Sequence, residues 1–374
     1  MISRVLSKTY RYGKYAFMTF GGVKLGTLFR NLTQGPRIYD VFVTKKAGGC
    51  VCVITPYYAK NAFRGSVCDF AAGSKQYSSR VRFVREPERS CLIALYLLPD
   101  ALRHEQYVTV TVRRGRAVLH SGTLENRADK APVTFLSVTT LIKYEGEYLA
   151  EWIEHHSQEG VEHFYIYDNN EPGEGNVKKA IAPYVDRNIA TYISWPYPYH
   201  LYPYLMKPFW PLDSHMYTQV PQMHHALYKY ANETQWLLMS DVDEYIYSPA
   251  GETIPDVIRR YAKYPFLRIK GYFFSGSDTE LADIPSKGVV GSFLYSESAP
   301  TSPTKQIAAT LHPKADAMSV HEVIVNRERM KDVPENELVF NHYRAFGWRK
   351  ATDSSLHRER KNDVLLMLGS KRRG

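Results

Sequence analysis

The sequence predicts a small all-β, sandwich-like domain followed by a larger α/β domain with a mainly parallel sheet. Short β-rich runs separated by turn residues fill the stretch up to about residue 126, whereas apolar strands alternate with helix-period segments from Val133 onward. Three carboxylates directly follow an apolar run at 236–240. Open α/β sheets bind ligands at the carboxyl ends of their strands, so these acids mark a candidate site.

The chain is predicted to consist of a basic arm (1–38), the all-β domain (39–130) and the α/β domain (131–374). Its 48 Lys and Arg residues against 38 Asp and Glu residues give a formal net charge of +10. An anionic partner is therefore expected, among nucleic acids, acidic membrane faces, nucleotides and acidic glycans.

The arm carries an apolar stretch at 15–23 that is too short to cross a membrane, and we find neither a signal peptide nor a spanning helix. We therefore expect a cytoplasmic protein. Peripheral contact of the basic arm with an anionic membrane face is one interpretation, and a flexible or docking N-terminus is the other.

The all-β domain is predicted from six runs rich in β-branched and aromatic residues. These runs are 39–44, 50–55, 81–84, 91–98, 107–112 and 117–120. The role of the domain stays open between carbohydrate binding and a structural cap, because a fold does not define a function. Its four cysteines match no common zinc spacing, so we expect reduced core thiols, with disulfides as the alternative.

The α/β domain begins with a strand at 133–142, a helix at 147–159 and a strand at 161–167. Short joints between them predict a right-handed parallel crossover. Asp168 then ends the second strand, where it is either a nucleotide-binding carboxylate or a turn residue. Further segments follow: helices at 176–184, 219–231 and 254–264, strands at 189–194 and 266–270, a Pro- and Tyr-rich loop at 195–211, and a glycine-bearing loop at 271–280.

The acids Asp241, Asp243 and Glu244 repel one another unless a positive charge lies between them. Carboxylate oxygens in an Asp-x-Asp spacing are hard ligands that suit Mg²⁺ or Mn²⁺, and an ion bound there would hold a diphosphate. The alternative is a solvated acidic turn after a core strand.

Several motifs in a fixed order resemble glycosyltransferase family 92 and its near relatives, over roughly 133–350. They are Lys143-Tyr-Glu145, Tyr148-Leu149, Glu151-Trp-Ile-Glu-His155-His156, Gly160 to Asn170, Trp236, Asp241-Val-Asp-Glu244, Lys305, Val320-His321 and Asn341-His-Tyr343. The resemblance implies a GT-A, Rossmann-like nucleotide-sugar-binding fold, a Mn²⁺-type cofactor and inversion at the anomeric carbon. It favours UDP-galactose as donor. Tyr144 departs from the pattern, since relatives usually carry Asn there.

The resemblance and the residue chemistry together suggest roles for individual side chains. The residues predicted to bind the nucleotide are Lys143, Glu145, Asp168, Asp241, Lys305 and Arg344. The predicted metal ligands are Asp241, Asp243 and His321, with His342 as the alternative to His321 and Glu244 orienting the site. Inversion needs a carboxylate base for the acceptor hydroxyl, and Asp278 and Glu280 are the candidates, with Asp278 favoured for its place beside 275–277.

The sequence thus predicts a metal-dependent inverting glycosyltransferase that moves a hexose, galactose favoured, from a UDP-sugar to a glycan hydroxyl. A metal-dependent nuclease or nucleotidyltransferase could use the same acids. However, the basic residues gather at the termini instead of alternating with aromatics near the acids, so no nucleic-acid partner is expected. A non-catalytic glycan-binding protein is the third hypothesis.

Overall fold

The computed structural model describes residues 38–72, 75–84, 90–129, 131–197, 218–274, 278–318, 330–343 and 360–372. The basic arm up to residue 37 and most of the Pro- and Tyr-rich loop lie outside these residues. The chain divides into two compact units: Met1–Ala128 with Tyr197–His225, and Asp129–Pro196 with Ala226–Gly374. No local pattern in the sequence indicates that Tyr197 and residues 218–225 group with the first unit.

The first unit contains two four-stranded antiparallel sheets, in the orders β1-β2-β6-β5 and β4-β3-β7-β8. The strands are β1 (Asp40–Thr44), β2 (Cys50–Pro56), β3 (Val67–Ala72), β4 (Lys75–Arg80), β5 (Arg82–Val84), β6 (Cys91–Leu97), β7 (Tyr107–Arg114) and β8 (Ala117–Glu125), with a short helix α1 (Lys60–Phe63). Buried apolar side chains from both sheets form one core. The predicted β-sandwich is confirmed.

Two strands of this sandwich, β3 and β4, were missing from the sequence prediction. Strand β4 lies at a sheet edge and has one large apolar residue, Tyr77, among Lys, Gln, Ser and Arg. In β3, Asp69 interrupts the apolar pattern and receives hydrogen bonds from Ser78 on β4 and Arg113 on β7. Polar groups that face solvent on an outer strand give no hydrophobic run, so a search for such runs overlooks them.

The four cysteines of the first unit are buried, and none forms a disulfide. Burial also raises the pKa of Cys52 and Cys68 above the ordinary thiol value. The prediction of reduced core thiols is confirmed, and their chemistry is that of small apolar residues.

The second unit is built on an eleven-stranded mixed sheet. Its strands are β9 (Thr134–Ile142), β10 (His163–Asp168), β11 (Ala190–Ser194), β12 (Thr234–Met239), β13 (Glu244–Tyr247), β14 (Phe266–Phe274), β15 (Tyr295–Ser296), β16 (Thr301–Ala309), β17 (Met330–Asp332), β18 (Val339–Tyr343) and β19 (Arg360–Lys361). Its helices are α2 (Leu149–Gln158), α3 (Val177–Asp186), α4 (Gln219–Lys229, which begins in the first unit), α5 (Ile254–Arg260), α6 (Asp278–Ser292) and α7 (Val364–Arg372).

Strands β11, β10, β9 and β12 run parallel in that order, which is the strand order of one half of a doubly wound α/β sheet. The crossover from β9 through α2 to β10 is the predicted one, and α2 buries the predicted stripe that includes Leu149, Trp152 and Ile153. Asp168 pairs with Ile142, so both strands end at the same level. The α/β fold class, with a small all-β domain in front of it, is confirmed.

The other half of the sheet is mainly antiparallel and contains the main corrections to the sequence prediction. Strand β14 continues through the predicted loop as far as Phe274, and a β-bulge between Ile269 and Gly271 lets it do so. A Cβ atom at Gly271 would lie 2.3 Å from the ring of Phe340, so glycine is required there by close packing and does not mark a turn. Helix α5 is also shorter than predicted.

Every helix among the described residues falls short of the length and apolar character that a membrane span requires.

Candidate functional site

The acidic stretch forms a tight turn between two strands. Strand β12 ends at Met239, and β13 begins with Glu244 itself. The backbone N–H of Glu244 donates to the carbonyl of Asp241 (3.1 Å), and the Asp241 N–H donates to Glu244 Oε2 (2.9 Å). Glu244 is therefore buried inside the turn, while Asp241 and Asp243 stay partly exposed.

Lys305 provides part of the positive charge that the three acids need. It lies on β16, the antiparallel neighbour of β12, and its side chain is only 4% exposed. Its Nζ lies 2.7 Å from Asp241 Oδ2 and 2.8 Å from Glu244 Oε2. Although burial opposes the ammonium form, the two carboxylates raise the pKa of Lys305 above its ordinary value, so it stays charged at neutral pH.

His342 approaches the turn from β18, where it pairs directly with Glu244 across the two strands. Its Nε2 lies 3.2 Å from Asp243 Oδ2, and the N–H of Tyr343 holds the carbonyl of Asp243 (2.8 Å). Although burial disfavours a charged ring, the Asp243 carboxylate raises the pKa of His342 above its ordinary value. The imidazole is thus placed where it can share Asp243 with a cation.

Asp243, Glu244 and His342 fit a divalent cation. One potential ligand atom from each lies within 4.8 Å of the others. Within the described part of the chain, buried Glu244 Oε1 and His342 Nδ1 have no hydrogen-bond partner, and they lie 3.7 Å apart. Burial raises the pKa of Glu244, which shows that its negative charge lacks full compensation. Since Lys305 balances one of three carboxylates, one divalent ion would neutralise the rest. Carboxylate oxygen with imidazole nitrogen suits Mn²⁺.

Helix α2 holds strand β13 through side chains on its inner face. Trp152 Nε1 donates to the carbonyl of Glu244 (2.9 Å), and His155 Nε2 donates to the carbonyl of Ile246 (2.8 Å). His156 Nδ1 donates to the carbonyl of Trp152, which leaves its Nε2 to accept the N–H of Ile246. These bonds satisfy the edge of β13 that faces away from β18. His155 and His156 thus act as packing and hydrogen-bonding residues on the inner face of α2.

A second set of predicted residues lies at the ends of β9 and β10. Asp168 is buried, and it accepts hydrogen bonds from the backbone and side chain of Asn170 (3.0 and 2.7 Å) and from the hydroxyl of Tyr192 (2.9 Å). These contacts are those of a turn residue, the alternative weighed in the sequence. Lys143 and Glu145 follow β9 and are partly exposed. All three lie at the same sheet edge as the acidic turn.

Comparison with known proteins decides the family. The model of glycosyltransferase family 92 matches residues 135–366, which is more than half of the chain and includes the acidic turn, Lys305 and His342. The chain belongs to glycosyltransferase family 92. The resemblance found in the sequence is thereby confirmed.

Family 92 relatives from plants are similar at a low level of identity. A family 92 protein of Oryza sativa subsp. japonica is 24% identical over 226 residues, covering 58% of this chain and 34% of the relative. One from Ricinus communis is 23% identical over 279 residues, covering 69% and 46%. One from Arabidopsis thaliana is 23% identical over 239 residues, covering 61% and 38%. The chain thus spans less than half the length of these relatives.

Solved structures give weaker matches. The crystal structure of S. aureus TarS residues 1–349 is 14% identical, with a TM-score of 0.33, and the match covers 57% of this chain and 61% of that one. A second S. aureus TarS structure has a TM-score of 0.24 at 14% identity, covering 39% and 22%. Similarity at this level does not establish a shared fold.

The remaining predicted residues of this family 92 chain lie outside the described residues or at the start of helix α6. His321 and Arg344 lie outside the described residues, as does the side chain of Asp278. Asp278 begins helix α6 and Glu280 follows in its first turn, partly exposed, whereas the sequence predicted a loop for both. Strand β14 occupies the first part of the predicted loop, up to Phe274. Asp278 and Glu280 therefore lie at the start of the next helix.

Sequence reasoning missed two features of the site. One is the burial of Glu244 against Lys305, and the other is the hydrogen bond from the indole N–H of Trp152 to the carbonyl of Glu244. Both depend on strands or helices that are far apart in the chain, so local pattern gives no signal for them. Strand β16 reads TSPTKQIAA and is largely polar up to Gln306, so its sequence offers no hint that Lys305 is buried.

Replacing Trp152 by Phe tests the link between α2 and β13. The change keeps an aromatic ring but removes the donor to the Glu244 carbonyl, so we expect a loss of about 1–3 kcal/mol in the free energy of unfolding. Urea denaturation measures it. Trp236→Phe, the same ring change on β12, controls for lost volume. Equal losses in both variants would show that the indole hydrogen bond contributes nothing.

Proposed function

We propose that this chain is a metal-dependent inverting glycosyltransferase that moves a hexose, with galactose favoured, from a UDP-sugar to a hydroxyl of a glycan. The observation that carries the proposal is the cluster of Asp243, Glu244 and His342 beside the buried Lys305, at the carboxyl edge of the parallel strands. Membership of glycosyltransferase family 92 supports the same reaction class.

Asp243 and His342 would hold a Mn²⁺ or Mg²⁺ ion, with Glu244 Oε1 as a third donor. When bound, the ion supplies positive charge that stabilises the leaving diphosphate. Lys305 keeps Asp241 and Glu244 in place through its ion pairs, which leaves Asp243 of the turn, together with His342 from β18, to face the ligand. The position of His342 beside Asp243 supports His342 as the histidine ligand, and His321 lies outside the described residues.

A carboxylate at the start of α6 would take the proton from the acceptor hydroxyl as that oxygen attacks the anomeric carbon from the face opposite the diphosphate. Asp278 is the favoured base and Glu280 the alternative. An Asp278→Asn variant should therefore bind donor like the wild type and lose transfer. Transfer retained in Asp278→Asn but lost in Glu280→Gln would move the role to Glu280.

The reaction is tested by release of nucleoside diphosphate from a panel of UDP- and GDP-sugars, with Mn²⁺ and with a chelator. We expect release from a UDP-hexose, with UDP-galactose the fastest, only when the metal is present. Donor binding by calorimetry is measured in parallel, because a missing acceptor suppresses turnover. Absence of both turnover and donor binding would contradict the transferase assignment.

A further inference from the structure

Tyr144 has an unusual backbone conformation for its type. Its φ of +62° lies in the left-handed region, which only two other non-glycine residues among those described adopt, Ala47 and Asn188. A bulky aromatic residue is disfavoured there, whereas Gly and Asn tolerate it. Such strain persists only where the surroundings hold it, and it is frequent at ligand sites.

The ring of Tyr144 is also held in an exposed position. About half of the residue (49%) is exposed, so part of the aromatic ring is open to solvent. Its hydroxyl donates to Glu174 Oε2 (3.3 Å), and Lys143 Nζ lies 5.2 Å from the ring centroid. The ring is therefore oriented by neighbours on both sides while much of its surface stays open.

Tyr144 follows the strand that lies between Asp168 and the acidic turn at this sheet edge. Strand β9 ends at Ile142, level with Asp168 on β10, and the Ser240 N–H donates to the carbonyl of Thr139 on the other side. Adjacent strands are about 4.8 Å apart, so the end of β9 lies about one strand spacing from the end of β12, which the acidic turn follows. A nucleoside diphosphate is long enough to reach from the turn across this strand end.

We infer that the ring of Tyr144 is the platform on which the nucleobase of the donor stacks. The inference rests on the proposed function, since it needs a nucleoside diphosphate at the acidic turn. Stacking uses the face of the base and accepts either a purine or a pyrimidine, so Tyr144 contributes affinity and not the choice of base. The positive charge of Lys143 lies beside the ring, where it would favour the nearby phosphates.

The test compares nucleotide and diphosphate binding by calorimetry in Mn²⁺ buffer. The probes are UDP, UDP-galactose, GDP and inorganic diphosphate, and the variants are Tyr144→Ala, Tyr144→Phe and Tyr144→Asn. Loss of a base-stacking ring should raise the Kd for the bound nucleotide about 10-fold or more in the Ala variant, with diphosphate affinity unchanged. The Phe variant should recover most of that loss, and Tyr107→Ala, which removes an equally exposed tyrosine in the first unit, should have no effect.

Tyr144→Asn separates the ring from the backbone. Because Asn tolerates the left-handed region, this variant should be more resistant to urea than the wild type while losing as much nucleotide affinity as the Ala variant. Unchanged UDP and GDP affinity in Tyr144→Ala would overturn this inference and leave the proposed function standing. A loss confined to UDP-sugar and absent for UDP would also overturn it, since the ring would then hold the sugar. A wild type that binds neither nucleotide would overturn the proposed function as well.

Discussion

An Asp243→Asn variant is expected to lose divalent-ion binding and to transfer sugar at least ~10³-fold more slowly than the wild type. The amide has nearly the same shape as the carboxylate, so the turn can fold, but it removes the charge that faces both His342 and the proposed ion. Because the ion would stabilise the leaving diphosphate by several kcal/mol, its loss acts mainly on kcat. Mn²⁺ titration calorimetry and kcat/KM together measure the effect.

The matched control for this prediction is Asp332→Asn. Asp332 is an exposed carboxylate on strand β17 of the same unit, and it pairs with Arg268. It is far from the acidic turn in the chain. The Asp332→Asn variant should keep Mn²⁺ affinity and turnover within about twofold of the wild-type values, because the substitution affects only a surface ion pair. If Asp243→Asn bound Mn²⁺ as tightly as Asp332→Asn does, Asp243 would not be a ligand.

A Lys305→Met variant is expected to destabilise the protein by about 3–5 kcal/mol in metal-free buffer. Methionine fills a similar volume, so the loss is electrostatic: Glu244 is fully buried, and both it and Asp241 would lose the ammonium that balances them. Urea denaturation measures the free energy of unfolding. Adding Glu244→Gln to the variant should recover part of the stability, because it removes the buried charge left without a partner.

Lys270→Met is the control for Lys305→Met. Lys270 forms an ion pair of similar length with Glu335 (2.9 Å), but both side chains are more than 40% exposed, so the expected cost is no more than about 1 kcal/mol. A loss of the same small size in Lys305→Met would contradict the view that Lys305 holds the acidic turn together.

The position of the site could be predicted from the sequence because it follows from local pattern. The apolar run before Asp241 predicts a buried strand, and the rule that ligands bind at carboxyl ends then places the acids at the sheet edge. The stripe of α2 is equally local, since its apolar side chains recur at helical spacing. These inferences need no knowledge of which distant strands pair.

The side-chain contacts within the site could not be predicted, because they depend on pairing between strands that are far apart in the chain. His342 reaches Glu244 only through the pairing of β18 with β13, almost a hundred residues apart in the chain. Lys305 likewise reaches the turn through the antiparallel pairing of β16 with β12. The loop predicted at 271–280 is wrong in its first part for a related reason: pairing with β16 and β18 extends β14 beyond Gly271, which suggested a loop.

The central claim is that Asp243 and His342 hold the divalent ion on which the donor diphosphate binds. A crystal structure of the protein soaked with Mn²⁺ and UDP, with anomalous data collected for manganese, tests it most directly. We expect one anomalous peak within coordination distance of Asp243 and His342, with the UDP diphosphate on the same ion. UDP bound elsewhere, or bound at the acidic turn with no manganese between these two side chains, would contradict the claim.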